Sequence, residues 1–110
     1  MQAEQIVDID KETPQFRELY DRNLAEIRDD FDRRDMEKRF GITLRTETVA
    51  ELLDSHPAKV RELYKSGKLD GFPMNPETNG SRLLFPANGV LKYIAETRTK
   101  AQLMRMAVAS

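Results

Sequence analysis

Lys59, Arg61, Glu62, Lys65 and Lys68 gather four cations and one carboxylate into a short stretch of the chain. At 100° per residue, Ala58, Arg61, Glu62 and Lys65 share one side of a helix, while Val60, Leu63 and Tyr64 share the other. Cations arrayed in this way bind anions. Arg offers a planar fork of donors to bidentate acceptors, and Lys offers a point charge to phosphate-like oxygens. Catalytic chemistry finds no comparable constellation, because there is no glycine-rich phosphate loop and no nucleophile with a suitably spaced base. His56 is the only histidine, and with no second ligand at metal-binding spacing its expected role is capping. Asp29, Asp30, Asp32 and Asp35 lack the glycine and terminal glutamate of a calcium loop, so they read as a solvated acidic helix face. The expectation is a non-enzyme with no metal and no cofactor. The five methionines, Met104 and Met106 among them, read as core filler or the dressing of a helix end.

Two short helices joined by a tight turn must position these cations. Thr48 and Glu51 stand in the S/T-x-x-E relation of a capping box, which predicts a helix from about Val49. Asp54, Ser55, His56 and Pro57 stop it, since Pro57 lacks the donor that a continuing helix needs. The same proline suits the first position of a second helix capped by His56 and running to Ser66, with Gly67 as its left-handed C′ residue.

This stretch, ELLDSHPAKV followed by RELYKSGKL, resembles the helix-turn-helix of the excisionase and MerR-like DNA-binding family. The match includes Glu51, Leu52, Leu53, Pro57, Ala58, Val60, Gly67 and Leu69, and spans residues 45–95. Ala50 falls where the motif places a small residue, and Leu53, Val60 and Leu63 fall on its core positions. The turn departs from the pattern at Asp54, Ser55 and His56, which replace a glycine, an apolar residue and a capping serine; Asp54 can still adopt left-handed dihedrals. The resemblance implies a mainly α fold, a winged helix-turn-helix with a small two-stranded wing, here preceded by a long N-terminal helix. It implies that residues 57–66 enter the major groove of double-stranded DNA. Arg61 and Lys65 would reach bases there, with Arg61 suited to guanine and Glu62 to a cytosine amine. Lys59, Lys68 and Arg82 would hold phosphates, and Asn79 would touch the minor groove from the wing tip. The amides of Val49 and Ala50 are a further expected phosphate contact, at a helix N-terminus.

After Leu69 the pattern changes to strands. Residues 71–74 and 82–85 flank a loop containing Asn79-Gly80, a strong turn signal, and predict the wing hairpin. Pro86 and Asn88 introduce a last helix carrying Val90, Leu91 and Ile94, with Leu103 and Met104 as an extension. The domain is expected at 41–97, with 98–110 as a helical extension or tail.

The other half of the chain differs in kind. Thr13-Pro14 starts a helix and Phe40-Gly41 stops one, with no glycine or further proline between them. Phe16, Leu19, Tyr20, Leu24, Ile27 and Phe31 form an apolar stripe, and i,i+4 pairs such as Glu18 with Arg22 and Asp29 with Arg33 flank it. A continuous helix over 13–40, following a flexible segment at 1–12, would be about 40 Å long at 1.5 Å per residue. That exceeds what a small domain covers, so part of the stripe is expected to meet a second copy or another protein; Tyr20, Leu24, Ile27 and Phe31 are expected either to bury against the winged domain or to form the seam of a homodimer or higher multimer. The alternative is a break near Asp32, where Arg34 occupies the next apolar position.

Composition sets the outer limits. The 110 residues, 34% of them charged and 39% hydrophobic, suit one soluble, ordered domain, expected in the cytoplasm of a bacterial or phage-infected cell. No apolar run reaches membrane-spanning length, and the absence of cysteine excludes disulfides and thiolate sites. Net charge is −1: residues 1–40 hold eight basic and twelve acidic side chains, 41–95 seven and six, and 96–110 three and one. So weak a positive field predicts modest affinity per protomer, and hence pairing on adjacent half-sites or a protein partner such as an integrase or RNA polymerase. Two other readings compete with that of an excision or transcription factor of a phage or mobile element. One is a packaging adaptor, similar to a small terminase subunit with a large terminase as partner; the other is a protein-interaction module on the same fold.

Overall fold

The computed structural model describes residues 10–109. Of the expected N-terminal segment 1–12, residues 1–9 lie outside the described residues. Asp10 begins a turn in which its side-chain Oδ1 accepts from the Glu12 amide at 2.8 Å. The chain is mainly helical, with one small antiparallel sheet. Among the described residues no helix is long and apolar enough to cross a membrane.

Helix α1, Pro14–Arg33, starts as its sequence dictates: Thr13 accepts the Phe16 amide at its hydroxyl, and Pro14 stands at the first helical position. It ends short of the continuous helix expected over 13–40. Asp35 adopts left-handed dihedrals (φ 56°) and the chain restarts as α2, Met36–Phe40. The break near Asp32 is thus the observed alternative, and it has a packing reason. Turning at Asp35 lets Met36 bury itself beside Phe31 in the core.

Strand β1, Thr43–Arg45, follows Gly41 and leads directly into α3, Thr46–Leu52. The helix therefore begins ahead of Val49, and Arg45, not Thr48, is its N-cap, with no side-chain capping bond. Sheet pairing outranks the capping box here, because β1 runs in register against a later strand up to Arg45 and Thr46 is already buried. Val49 and Ala50 consequently lie inside the helix and are buried, so their amides are not open to a phosphate.

Helix α4, Pro57–Lys65, is followed by β2, Phe72–Pro73, β3, Leu83–Pro86, and α5, Ala87–Ala109. The hairpin lies where it is expected, with Phe72 opposite Leu84 and Pro73 opposite Leu83, but its first strand is only Phe72–Pro73 and its second is shifted to Leu83–Pro86. It is not the whole sheet: β1 adds to the other side of β3, giving the order β1-β3-β2. Gly71 sits where a Cβ would come within 2.9 Å of the buried Phe85 ring, so the approach of the chain to β3 requires glycine.

One core joins the parts. Leu44, Val49, Val60, Phe85, Val90 and Ala95 are fully enclosed, and Ile27, Phe31 and Met36 belong to the same cluster. Much of the α1 stripe is thus packed within the chain. Ile27 and Phe31 are buried and Tyr20 and Leu24 are packed against the core, because α5 continues as one helix past position 97 and covers α1. Of the two expectations for Tyr20, Leu24, Ile27 and Phe31, burial within the chain is the one seen at Ile27 and Phe31, while Tyr20 and Leu24 are half-buried. A polar clamp marks the contact: buried Asn23 donates to Thr99 and to Gln102, both at 2.9 Å, and the Thr99 hydroxyl donates to the Ala95 carbonyl at 2.7 Å.

Candidate nucleic-acid interface

The turn between α3 and α4 holds its shape with an aspartate in the glycine position. Asp54 takes φ 51°, its amide bonds to the Glu51 carbonyl at 3.1 Å, and the Ser55 amide bonds to the Ala50 carbonyl at 2.8 Å. This is the double hydrogen bond of a Schellman stop. His56 then caps α4 through Nδ1, which accepts from the Ala58 amide at 3.1 Å. At the other end Gly67 (φ 78°) and Lys68 close a second Schellman stop onto the carbonyls of Tyr64 and Leu63.

The two faces of α4 separate as its spacing dictates. Val60 and Leu63 are buried, and Tyr64 is half-buried with its ring edge-on to Phe85. Ala58, Arg61, Glu62 and Lys65 are exposed on the opposite side. Lys59 lies on the flank of α4 toward α5, bordering a groove shared with Leu63, Tyr93 and Thr97. Lys68 follows the helix and borders a cleft against α5. In the hairpin, Asn79 is exposed in the loop ahead of Gly80, which supplies the positive φ of 78°. Arg82 is exposed just before β3, and its carbonyl accepts from the Met74 amide at 2.7 Å.

Charge is distributed unevenly over these elements. The ion pairs among the described residues lie along α1, α5 and their flanks: Arg22 with Glu18, Arg33 with Asp29 and Asp30, Arg34 with Asp30, Arg98 with Glu26, and Lys11 and Lys100 with Glu96. The acidic cluster at 29–35 is therefore partly neutralised by its own helix. No group of three or more potential metal ligands occurs among the described residues. Between residues 41 and 95, by contrast, all seven cations are exposed and none forms an ion pair among the described residues. Such unpaired cations are free to meet an external anion without first giving up an internal partner.

Two of those seven escaped sequence reasoning. Arg45 ends β1 opposite Leu84 and immediately precedes α3; a three-residue strand with one buried side chain leaves no period to find. Lys92 lies on α5 beside the α4 exit, and only the three-dimensional path of α5 brings it there. No known protein family, no curated protein and no solved structure matches the chain.

Proposed function

We propose that this is a small double-stranded-DNA-binding protein built on a winged helix-turn-helix, of the kind that governs excision or transcription in a phage or mobile element. The supporting observation is α4, which buries Val60 and Leu63 while leaving Arg61, Glu62 and Lys65 exposed and without ion-pair partners among the described residues. The order of elements supports the same reading: two helices joined by a tight turn, then a hairpin whose inner strand β3 is held by β1. Inserted in a major groove about 12 Å wide, α4 presents Arg61 to guanine O6 and N7, Glu62 to a cytosine amine and Ala58 to a thymine methyl. Lys59, Lys68 and Arg82 contact phosphates, and the loop at Asn79 reaches the neighbouring minor groove. Four or five phosphate or base contacts per protomer give a salt slope of about −4 on logarithmic axes, so a working complex uses two protomers or a protein partner.

The packaging-adaptor reading needs an N-terminal stripe free to organise a multimer, and the burial of Ile27 and Phe31 under α5 argues against it. The test is fluorescence anisotropy of random duplex DNA at several salt concentrations, comparing the native chain with Arg61→Ala/Lys65→Ala. The double variant should bind more weakly, with a slope shallower by up to about 2. Unchanged affinity would remove α4 from the interface.

A further inference from the structure

A helix seated in a major groove lies between two phosphate walls, and the two flanks of α4 differ. On the hairpin side, Arg82 is available just ahead of β3. On the other side runs α5, and between it and the loop after α4 lies a cleft of about 640 Å³. Lysines from three separate parts of the chain border it: Lys11 ahead of α1, Lys68 after α4, and Lys92 and Lys100 one and three turns into α5. Two carboxylates accompany them, and each has a structural use. Glu96 is tied to Lys100 at 3.0 Å and to Lys11 at 3.5 Å. Burial pushes the Glu96 carboxyl up, but the hydrogen bond and charge of Lys100 and the charge of Lys11 outweigh it and hold the group below the ordinary value. Asp70 lies over the first turn of α5, within 3.6 Å of where a Gly89 Cβ would stand, and the positive end of that helix offsets its charge. Lys68 and Lys92 remain, exposed and without an ion-pair partner among the described residues.

The cleft is also continuous with the α4 surface. Tyr93 and Thr97 border both it and the groove that carries Lys59. Lys59, Lys68 and Lys92 therefore mark one basic edge along the junction of α4 and α5. We propose that this edge holds the sugar-phosphate backbone on the α5 side of the groove, with Lys68 and Lys92 each neutralising a phosphate. The proposal rests on the DNA-binding reading and makes α5 part of the interface.

The experiment measures anisotropy of random duplex DNA against salt for the native chain, Lys68→Ala/Lys92→Ala, Lys68→Arg/Lys92→Arg, Arg61→Ala/Lys65→Ala, and the two-charge control Lys38→Ala/Arg39→Ala on α2. Loss of two phosphate contacts should make the slope shallower by about 1.8, at 0.9 per contact. The arginine pair should keep the native slope, and the α2 control should leave it unchanged. Retention of the native slope in Lys68→Ala/Lys92→Ala, while Arg61→Ala/Lys65→Ala loses it, would overturn the cleft and leave the recognition helix standing. An equal loss in the α2 control would also overturn it, since the effect would then follow total charge. Absence of binding by the native chain at every salt concentration would overturn both readings together.

Discussion

Replacing Thr99 with valine tests how α1 is held to α5. Thr99 is fully buried and Asn23 is 3% exposed, so water cannot replace what the substitution removes. Valine has nearly the volume of threonine, which leaves no cavity and isolates the polar effect. Asn23 keeps its bond to Gln102 but loses the 2.9 Å bond to the Thr99 hydroxyl. A buried donor left without its acceptor costs about 1–3 kcal/mol. Taking about 2 kcal/mol, the melting temperature of a domain of this size should fall by roughly 8–16 °C. Converting the partner as well, in Asn23→Leu/Thr99→Val, removes the stranded amide and should recover most of the loss. The coupling between the two sites would then be about 1–2 kcal/mol. Thermal and urea unfolding followed by circular dichroism would measure Thr99→Val, Asn23→Leu and the double variant. A Thr99→Val protein as stable as the native chain, or a double variant whose loss is the sum of the singles, would refute the clamp.

Two further outcomes follow from the turn and the cleft. Asp54→Gly should stabilise the protein by about 0.5–1 kcal/mol, because glycine takes the observed φ of 51° without the steric cost that an L side chain bears there; a lower urea midpoint in this variant would show instead that the Asp54 side chain supports the turn. Glu96 has a folded-state acidity shifted below its ordinary value of 4.5, so its contribution is complete above that value and disappears as pH falls through the lower, folded one. The stability advantage of the native chain over Glu96→Gln should therefore be present near neutral pH and vanish in acid, and a gap that stays constant across the acid range would contradict the pairing with Lys100 and Lys11.

What could be read from the residues was what local chemistry decides. Thr13-Pro14, His56-Pro57 and Gly67 carry their own capping geometry, so the bounds of α4 and the start of α1 needed no tertiary information. The placement of Arg61, Glu62 and Lys65 on an exposed face followed from the 3.6-residue period alone. β1 was invisible because Leu44 is its single buried residue. The pairing of α1 with α5 was hidden for a different reason. Ala87, Leu91, Ala95, Thr99 and Leu103 form the buried line of α5, and a polar Thr99 interrupts it just where a polar Asn23 interrupts α1. Each looks like a defect in its own stripe, and only the two together make sense. Lys92 could not be assigned to the proposed interface for the same reason, since the course of α5 depends on that pairing.

The clamp between Asn23 and Thr99 spans 76 residues of chain, and that separation sets an order of events during synthesis. Neighbouring helices such as α3 and α4 can meet within microseconds of leaving the ribosome, whereas α1 must wait for a partner not yet made. At 5–20 residues per second the wait is roughly 4–15 s. Throughout it the face of α1 that α5 covers in the finished protein stands without that partner. A stripe that is closed in the finished protein is therefore open in the growing one, and that interval is when chaperones, or α5 of a neighbouring chain, can reach it.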